Sequence, residues 1–532
     1  MIKSINKLII ISFGILTLVL LNSIYQINFH NIQNADALLY ASFFNDLFFQ
    51  HYPLTDWKIL TIPNFIPFFY FFTPFFALFQ NNAAAFFFVN IIELALIILL
   101  LLLLAKIVYS KNLSLLSIPI LFIFSLFLLL DLKNGALFYD LTTPYHHLFN
   151  TIFCLLTLVF FLKYFETKRT DKTILLFLLC FFSSLNDQIF ITSLSLPLFF
   201  VGLFLKKTKK ATISKSFLLS LLLGSVTGLL FLAITKNSIP ISFTISNFLI
   251  SISSLRDYES DSNLVFAVLW LVSYLFNVTA TIKLYRSKNS KTSLLAFYLF
   301  IVILPFCILP PIFISGRYSG ITTSRYLTFL EILPVVNLVI VFFMWTNTKL
   351  TNGFYLFFQS FCFILLLIIG LGSEKNLISL SLSWLTHNPH PSKCIDFYAS
   401  RKKLPTAYGL TDYWHARLLT FSNQNHLQLN QINNDGTALL RLSNNYDYFL
   451  KDKGRYQLVP YSFIVVNSEL DQETIINNLG KPDTILNCSP FNSGTKEKIL
   501  VYKTVRNRNL LTKNFFDKNK NLFSGIETRK PS

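Results

Sequence analysis

Charged residues are scarce in this sequence: Asp, Glu, Lys and Arg make up 13% of its 532 residues, whereas soluble globular chains carry about a quarter. The chain also has no Gly-rich phosphate loop, no Cys-x-x-Cys pair and no nucleophile motif. Its basic residues form no stripe interleaved with aromatic side chains, so a nucleic-acid partner is not expected. These absences remove most classes of soluble enzyme and nucleic-acid-binding protein.

Long apolar runs take the place of the missing charge. Ile91 to Ala105 reads IIELALIILLLLLLA, with a single charged residue. A bilayer core about 30 Å thick needs about 20 apolar residues in a helix, and such runs recur along the first 373 residues. The sequence therefore predicts an all-α polytopic membrane bundle with about eleven transmembrane helices, at residues 8–25, 85–105, 113–131, 147–165, 173–186, 189–205, 216–235, 263–282, 293–313, 327–345 and 354–372.

Loop charges predict the orientation, because Lys and Arg in short loops stay in the cytoplasm. If the eleven spans cross the membrane in turn and the first one exits the cytoplasm, the cytoplasmic loops hold most of the basic residues, at 106–111, 163–172, 206–215, 283–291 and Lys349. The N-terminus is then cytoplasmic, and we expect an integral protein of the bacterial inner (plasma) membrane with an extracytoplasmic C-terminal domain. No small-residue cleavage site follows the first apolar segment, which we interpret as an uncleaved helix.

Composition divides the chain into three parts. Residues 1–373 form a transmembrane domain with a large first outer loop at 26–84, residues 374–506 a soluble domain, and residues 507–532 a basic tail that we expect to be disordered. Strand-like runs at 406–410, 461–466 and 499–505 and a helix-like run at 471–479 predict an α/β or α+β fold for the soluble domain.

Two features of the soluble domain leave alternatives open. Cys394 and Cys488 have no metal-type spacing; they could form a disulfide if the domain is exported, or remain two thiols. The segment YGLTDYWHARLLTF could present aromatic rings to a sugar, or it could pack Trp414 into a small core.

The first outer loop carries a candidate catalytic acid. Asp36 lies about ten residues past the first span and precedes Leu39, Phe43 and Leu47, which have helical spacing. A carboxylate at the membrane boundary beside an apolar groove could act as a general base between a lipid-borne and a water-borne substrate. The alternative is that Asp36 only caps the following helix.

This loop resembles that of the GT-C superfamily of integral membrane glycosyltransferases, which use polyprenyl-phosphate sugars and include the protein O-mannosyltransferase and aminoarabinose transferase groups. Members often read D-E-x-x-Y, then H-P-P-L, then an aromatic stretch ending L-F-G. This chain has Asp36-Ala37-Leu38-Leu39-Tyr40, then spaced prolines at Pro63 and Pro67, then Ala77-Leu78-Phe79-Gln80. The resemblance implies that Asp36 is the catalytic acid and that Tyr40 lines the substrate site. Ala37 replaces the second acid of the family, and the H-P-P-L motif is absent.

A second cluster, SGRYSGITTSRYLTFLEILP, lies in the outer loop before residue 327. Arg317 and Arg325 there could bind a phosphate, because the guanidinium presents paired donors that match phosphate oxygens. The Arg325-Tyr326-Leu327 run also resembles a late GT-C element in which the arginine contacts the carrier phosphate. Contacts with ordinary anionic lipid, or with Glu331, are the alternative.

Other outer-side residues complete the candidate substrate site: Lys58, His146, His147 and Asp187. Adjacent histidines point in different directions, so no metal ligand set is assigned. Some GT-C enzymes hold a divalent ion near the loop acid, and such a cofactor stays open. Asp187 could instead be a polar turn residue. Glu93, Asp131 and Glu331 are acids in or near spans, where charge is costly and often functional.

Together these features predict a membrane glycosyltransferase that moves a sugar from a polyprenyl-phosphate carrier to an extracytoplasmic acceptor, with membrane lipids around it. Two alternatives are kept. One is an inactive GT-C-like protein for glycan binding or assembly, which the missing second acid favours. The other is a lipid-linked-sugar transporter or flippase, although no inverted repeat is evident.

Overall fold

The computed structural model describes residues 2–27, 38, 42–44, 46–50, 57–58, 65–79, 82–134, 148–167, 171–235, 244–254, 261–316, 327–371, 393–422, 425–439, 444–445, 450–452, 457–467, 469–488 and 497–523. Contacts divide the chain into two compact units. The first, here the helical unit, comprises Met1–Asn28, Ile62–Phe75 and Ala84–Leu382. The second, here the sheet unit, comprises Phe29–Thr61, Phe76–Ala83 and Ser383–Ser532.

Helices dominate the first part of the chain, because the hydrocarbon core offers no partner for backbone polar groups and a helix satisfies them internally. They are α1 Ile2–Ile27, α2 Phe65–Phe79, α3 Asn82–Tyr109, α4 Leu113–Asn134, α5 Leu148–Thr167, α6 Asp171–Asn186, α7 Leu196–Lys207, α8 Lys215–Thr235, α9 Ile245–Ser253, α10 Asp261–Arg286, α11 Thr292–Ile314, α12 Thr328–Lys349 and α13 Asn352–Leu371. Within the described residues, seven are long and apolar enough to cross a membrane: α1, α3, α4, α10, α11, α12 and α13. The chain is therefore a helical membrane protein.

The four other predicted spans are also helical. They correspond to α5, α6, α7 and α8. Within the described residues, these four helices are not both long enough and apolar enough to count among the seven candidate spans. The apolar parts of α6 and α8 are short, at Thr173–Asn186 and Lys215–Phe231. The structure thus supports seven spans where the sequence predicted eleven.

Basic residues mark one end of the helical unit. The ammonium of Lys291, just before α11, donates to the carbonyl of Ile107 at 2.5 Å and to Ser110 Oγ at 3.0 Å, both at the end of α3. It also pairs with Glu166 at the end of α5, at 3.2 Å. Lys210, after α7, donates to the carbonyl of Ser287 after α10. These contacts bring the ends of four helices and the start of a fifth together.

Close backbone contact joins α6 and α8. A Cβ added at Gly224 would lie 2.5 Å from the carbonyl oxygen of Phe177, and one added at Gly228 would lie 2.5 Å from that of Phe181. The two glycines form a G-x-x-x-G motif, whose missing side chains let membrane helices approach closely. A larger residue at either position would force the two helices apart.

A buried polar network connects α3, α10, α11 and α12. Tyr109 donates to the side-chain oxygen of Asn337, and its hydroxyl lies 3.1 Å from that of Tyr298. The amide of Asn337 in turn donates to Asn277 Oδ1 at 2.7 Å. Hydrogen bonds between polar side chains in an apolar bundle fix which helix faces meet.

The sheet unit contains a mixed five-stranded sheet. Its strands, in the order β3-β2-β7-β9-β8, are part of the series β1 Trp57–Lys58, β2 Tyr408–Thr411, β3 Gln428–Gln431, β4 Asn444–Asn445, β5 Leu450–Asp452, β6 Gln457–Leu458, β7 Phe463–Val466, β8 Thr484–Asn487 and β9 Lys498–Val501. Strands β3, β2 and β7 are parallel, and β9 is antiparallel to both β7 and β8. The strand runs predicted at 406–410, 461–466 and 499–505 overlap β2, β7 and β9.

Helices cover both faces of this sheet. They are α14 Lys393–Ser400, α15 Tyr413–Ser422, α16 Gln472–Leu479, α17 Val505–Lys518 and α18 Lys520–Phe523. Side chains alternate along a strand, so Phe463 and Val465 pack with residues of α14 and α15. Ile464 and Val466 pack on the opposite face with residues of α16 and α17. Two small hydrophobic cores therefore lie on either side of one sheet.

The prediction that the tail at 507–532 is disordered is wrong for residues 507–518 and 520–523, which are helical. Helix α17 occupies Val505–Lys518, and Thr504 caps it by accepting a hydrogen bond from the N–H of Asn507 at 3.2 Å. Leu511 and Phe515 are fully buried, and the Phe515 ring lies 5.2 Å from that of Tyr461. Two apolar side chains four residues apart on one helix face thus outweigh the polar composition that suggested disorder.

A short ladder brings the first loop into the sheet unit. Strand β1 pairs antiparallel with β4, so that Trp57 is opposite Asn445 and Lys58 is opposite Asn444. Phe44, from the same loop, has its ring 5.1 Å from that of Phe76. Described parts of the first loop therefore belong to the same compact unit as the C-terminal sheet.

Cys394 and Cys488 form a disulfide, with Cα atoms 5.4 Å apart. This confirms the pairing that the sequence left open. The four other cysteines are buried and free: Cys154, Cys180, Cys307 and Cys362. The bridge joins α14 to the end of β8 across 94 residues.

Removing this bridge should loosen the sheet unit. In a chain-entropy account, cross-linking a loop of this length stabilises by about 4–5 kcal/mol, so C394S/C488S should lose about 2–5 kcal/mol of unfolding free energy, measured by denaturant unfolding. C362A, which keeps the bridge, serves as the control and should lose less. Labelling of the denatured wild type should modify four thiols before reduction and all six afterwards; six before reduction would contradict the bridge.

Candidate functional site

Most of the predicted substrate site lies outside the described residues. Those positions are Asp36, Tyr40, His146, His147, Arg317 and Arg325. Lys58 belongs to β1 through its backbone, but its side chain lies outside the described part. Asp187 alone is described in full. The roles of the others stay predictions.

Asp187 is a buried turn residue between α6 and α7. Its Oδ1 accepts a hydrogen bond from the N–H of Ile189 at 2.9 Å, and its own N–H donates to the carbonyl of Ser183 at 2.9 Å. A carboxylate that bonds the backbone two residues on is typical of an Asx turn. The structure therefore favours the turn interpretation over that of a second active-site acid.

Glu93 is a buried acid in the middle of the helical unit. It lies three turns into α3 and is fully buried. Both carboxylate oxygens lack a hydrogen-bond partner among the described residues. Tyr25 of α1 and Asn90 of α3 are also fully buried. A buried acid inside a span is costly, and such residues usually mark ion, proton or substrate sites.

Two further acids of the helical unit are buried rather than solvated. Asp131 lies near the end of α4 and Glu331 near the start of α12. The end of α3 lies at the basic end, and only three residues separate it from the start of α4, so Asp131 near the end of α4 lies toward the opposite end. Asp131 is thus separated from the basic end along the axis of α4.

The sheet unit carries a polar cluster that sequence reasoning missed. Asp412 follows β2, and its Oδ1 accepts from the N–H of Trp414 at 2.8 Å. Its Oδ2 lies 2.9 Å from Nδ1 of His415. In parallel sheets, ligands commonly bind outside the carboxyl ends of the strands. Asp412 and His415 lie at such an end.

Asn467 and Glu497 extend this cluster from the next two strands. The Asn467 side-chain oxygen accepts from the N–H of Glu469 at 2.8 Å, and its amide donates to Asp412 Oδ2 at 2.5 Å. Nδ1 of His415 lies within hydrogen-bond distance of both Asp412 Oδ2, at 2.9 Å, and the side-chain nitrogen of Asn467, at 2.7 Å. Nε2 of His415 then faces Glu497 Oε1 at 3.8 Å.

The pair of Asp412 and His415 shifts the pKa of both groups. Burial alone raises the pKa of Asp412, but hydrogen bonds and charge from His415, with bonds from Asn467 and Trp414, outweigh it and lower the net pKa. Burial alone lowers the pKa of His415, but its bond to Asp412 and the charges of Asp412, Glu497 and Glu469 raise the net value. The imidazolium–carboxylate form is therefore favoured.

Trp414 is not a core residue. Its side chain is 45% exposed, and the Tyr413 ring lies 5.0 Å from it in an edge-to-face arrangement. The core packing considered for this residue is therefore wrong. The remaining interpretation, an aromatic ring presented to a ligand, agrees with its exposure.

A sequence signal for this cluster was present but nonlocal. Asp412 lies two residues after the strand-like run at 406–410, and Asn467 directly follows the run at 461–466. Polar residues at two strand ends could mark one sheet edge if the strands were known to be neighbours and parallel. The pairing of β2 with β7 is needed to bring them together. The sequence does not give that pairing.

No group of three or more His, Cys, Asp or Glu able to hold a metal ion occurs among the residues that the structure describes. Comparison of the chain with models of known families, with curated proteins and with solved structures finds no match.

The Asp412–His415 pair should make stability depend on pH. Because the pKa of His415 is raised, its contribution is complete below about pH 6.5 and is lost as pH rises through the folded value. Because that of Asp412 is lowered, its contribution is complete above about pH 4 and is lost as pH falls. H415Q should therefore lower the thermal midpoint of the full-length protein most between about pH 4 and 6.5.

The difference in thermal midpoint between the wild type and H415Q should become smaller toward pH 9. Scanning calorimetry in detergent measures this difference. H426N, at an exposed histidine of the same unit, provides the control. A gap that does not change with pH would contradict the charged pair.

Proposed function

We propose that this protein is a membrane glycosyltransferase that moves a sugar from a polyprenyl-phosphate carrier to an acceptor outside the cytoplasm. In this proposal eleven helices cross the membrane, the N-terminus is cytoplasmic, and the sheet unit is the extracytoplasmic C-terminal domain of a GT-C-like fold. The observation that carries the proposal is the pairing of β1 with β4, because it joins the loop that holds Asp36 to the C-terminal unit.

Three features support the proposed side of the membrane. The disulfide between Cys394 and Cys488 favours an oxidising compartment for the sheet unit. Lysines gather at the end of the helical unit around Lys291 and Lys210, as expected for a cytoplasmic face. The loop that carries Asp36 pairs with the sheet unit and so shares its compartment.

Apolar packing supports a lipid-facing site in that loop. Leu38, two residues after Asp36, is buried, as is Phe43. The Phe44 ring contacts Phe76 of the Pro-containing helix α2. With 15 residues α2 is shorter than a span, which agrees with a place at the membrane boundary, where a polyprenyl chain would lie.

The chemistry assigned to the site is a single displacement at the anomeric carbon. Asp36 accepts the proton of the acceptor hydroxyl as its oxygen attacks that carbon. The bond from the carbon to the phosphate oxygen breaks, and the carrier phosphate leaves with the electron pair, held by Arg317 or Arg325. Tyr40, Lys58, His146 and His147 would contact the sugar or the phosphate. No nucleotide is needed, because the phosphate is itself the leaving group.

Reporter fusions test the orientation. A phosphatase that works only outside the cytoplasm should be active when fused after Ser373, and inactive when fused after Lys209, because the two positions lie on opposite sides in this threading. A cytoplasmic reporter should give the inverse pattern. A cytoplasmic location for the sheet unit would overturn the proposal, since it would also move Asp36 to the wrong side.

Substitution of Asp36 tests the reaction. Asp36→Asn keeps the shape and a capping oxygen but removes the base, so transfer should fall by about 10²-fold or more. The measurement is glycan modification in cells that lack the native gene and carry the variant, with protein level checked by immunoblot. Asp56→Asn, in the same loop, is the matched control and should retain transfer.

If Asp36→Asn supports full modification, Asp36 is not the general base. The alternative, an inactive GT-C-like protein for glycan binding or assembly, then takes precedence; Ala37 in place of the second acid already favours it.

A further inference from the structure

The carboxyl ends of β2, β3 and β7 and the start of β9 form one polar edge of the sheet unit. We call this group of residues the edge site: Asp412, Trp414, His415, Gln431, Asn467 and Glu497. We propose that the edge site binds the ring of a neutral sugar. This site lies in the sheet unit and does not use the residues assigned to transfer.

Helix capping explains only part of the edge site. Asp412 precedes α15 and accepts from the N–H of Trp414, as an N-terminal cap does. His415 in the first turn then pairs with that carboxylate. Capping requires neither the Asn467 amide from a neighbouring strand nor an exposed indole. It also gives no role to Gln431.

Gln431 is a buried amide without a partner. It ends β3 and is 2% exposed, and neither its side-chain oxygen nor its nitrogen has a hydrogen-bond partner in the described part of the chain. Its backbone is in register with Thr411 of β2, next to Asp412. A buried unpaired amide is unfavourable, and such groups in native structures call for an explanation. A ligand hydroxyl at this edge would supply the missing hydrogen bonds.

Trp414 supplies an apolar face beside these polar groups. The indole is nearly half exposed although its neighbour Tyr413 is buried against it. Large exposed aromatic rings next to polar residues are enriched where proteins bind partners. The axial C–H groups of a sugar ring form a flat apolar surface that matches such a ring.

The mixture of donors and acceptors selects the class of ligand. His415, 28% exposed, has Nε2 directed away from Asp412, and in the imidazolium form this nitrogen donates. Gln431 can donate and accept, and Glu497 accepts. A sugar hydroxyl also does both. Asp412, Glu497 and the nearby Glu469 outnumber the one imidazolium, so an anion is disfavoured; a simple cation would leave the donors of His415 and Gln431 unused.

Saturation-transfer NMR on the full-length protein in detergent tests the proposal. The probes are methyl glycosides of glucose, galactose, mannose and N-acetylglucosamine at millimolar concentration, with glucuronate and glucosamine as charged counterparts. At least one neutral glycoside should receive saturation through its ring C–H protons. Trp414→Ala should weaken that binding about tenfold, while Trp414→Phe should retain most of it.

Matched variants separate binding from folding and from transfer. Gln431→Leu fills the same space without the amide, so it should weaken binding without lowering the thermal midpoint. Trp345→Ala, at an exposed tryptophan of α12, should leave binding unchanged, as should Asp36→Asn. The proposal fails if no neutral glycoside binds, if glucosamine or glucuronate alone binds, or if Trp414→Ala binds as the wild type does. Asp36→Asn should abolish sugar transfer and leave glycoside binding at the edge site unchanged. A failure of the proposed binding site can therefore be distinguished from a failure of the proposed transferase function.

Discussion

The absence of hydrogen-bond partners in the hydrocarbon core is the constraint on which the rest of the structure depends. It forces each apolar run into a helix and drives charge to the helix ends. Lys291 illustrates the result, since its ammonium joins the ends of α3 and α5 to the start of α11 at the basic end.

Glu93 is a charged residue that does not lie at a helix end. It lies inside a span, away from both ends, without a partner among the described residues. Tyr25 of α1 and Asn90 of α3 are further polar residues that are fully buried in these otherwise apolar helices. Polar groups inside membrane spans cost stability and are usually functional. Tyr25, Asn90 and Glu93 therefore mark a position in the helical unit where a functional role is expected.

Local patterns predicted local structure well, and nonlocal contacts poorly. Each predicted span is helical, and Cys394 and Cys488, which the sequence left as either a pair or two thiols, form a disulfide. The ladder of β1 with β4 and the cluster of Asp412 with Asn467 could not be predicted, because each joins segments whose proximity depends on strand order. The tail was misread for a related reason: Leu511 and Phe515 are too few to mark a core by composition, yet one helix turn brings both onto the sheet.

The β1–β4 ladder has a consequence for biosynthesis. About 390 residues separate its two strands along the chain. At about 5–20 residues per second, the ribosome needs on the order of 20–80 s to make that interval. Throughout this time the partner strand of β1 does not yet exist. A chain that stops before residue 444 therefore leaves β1 without its partner strand, so this part of the first loop can complete its pairing only after most of the chain has been synthesised.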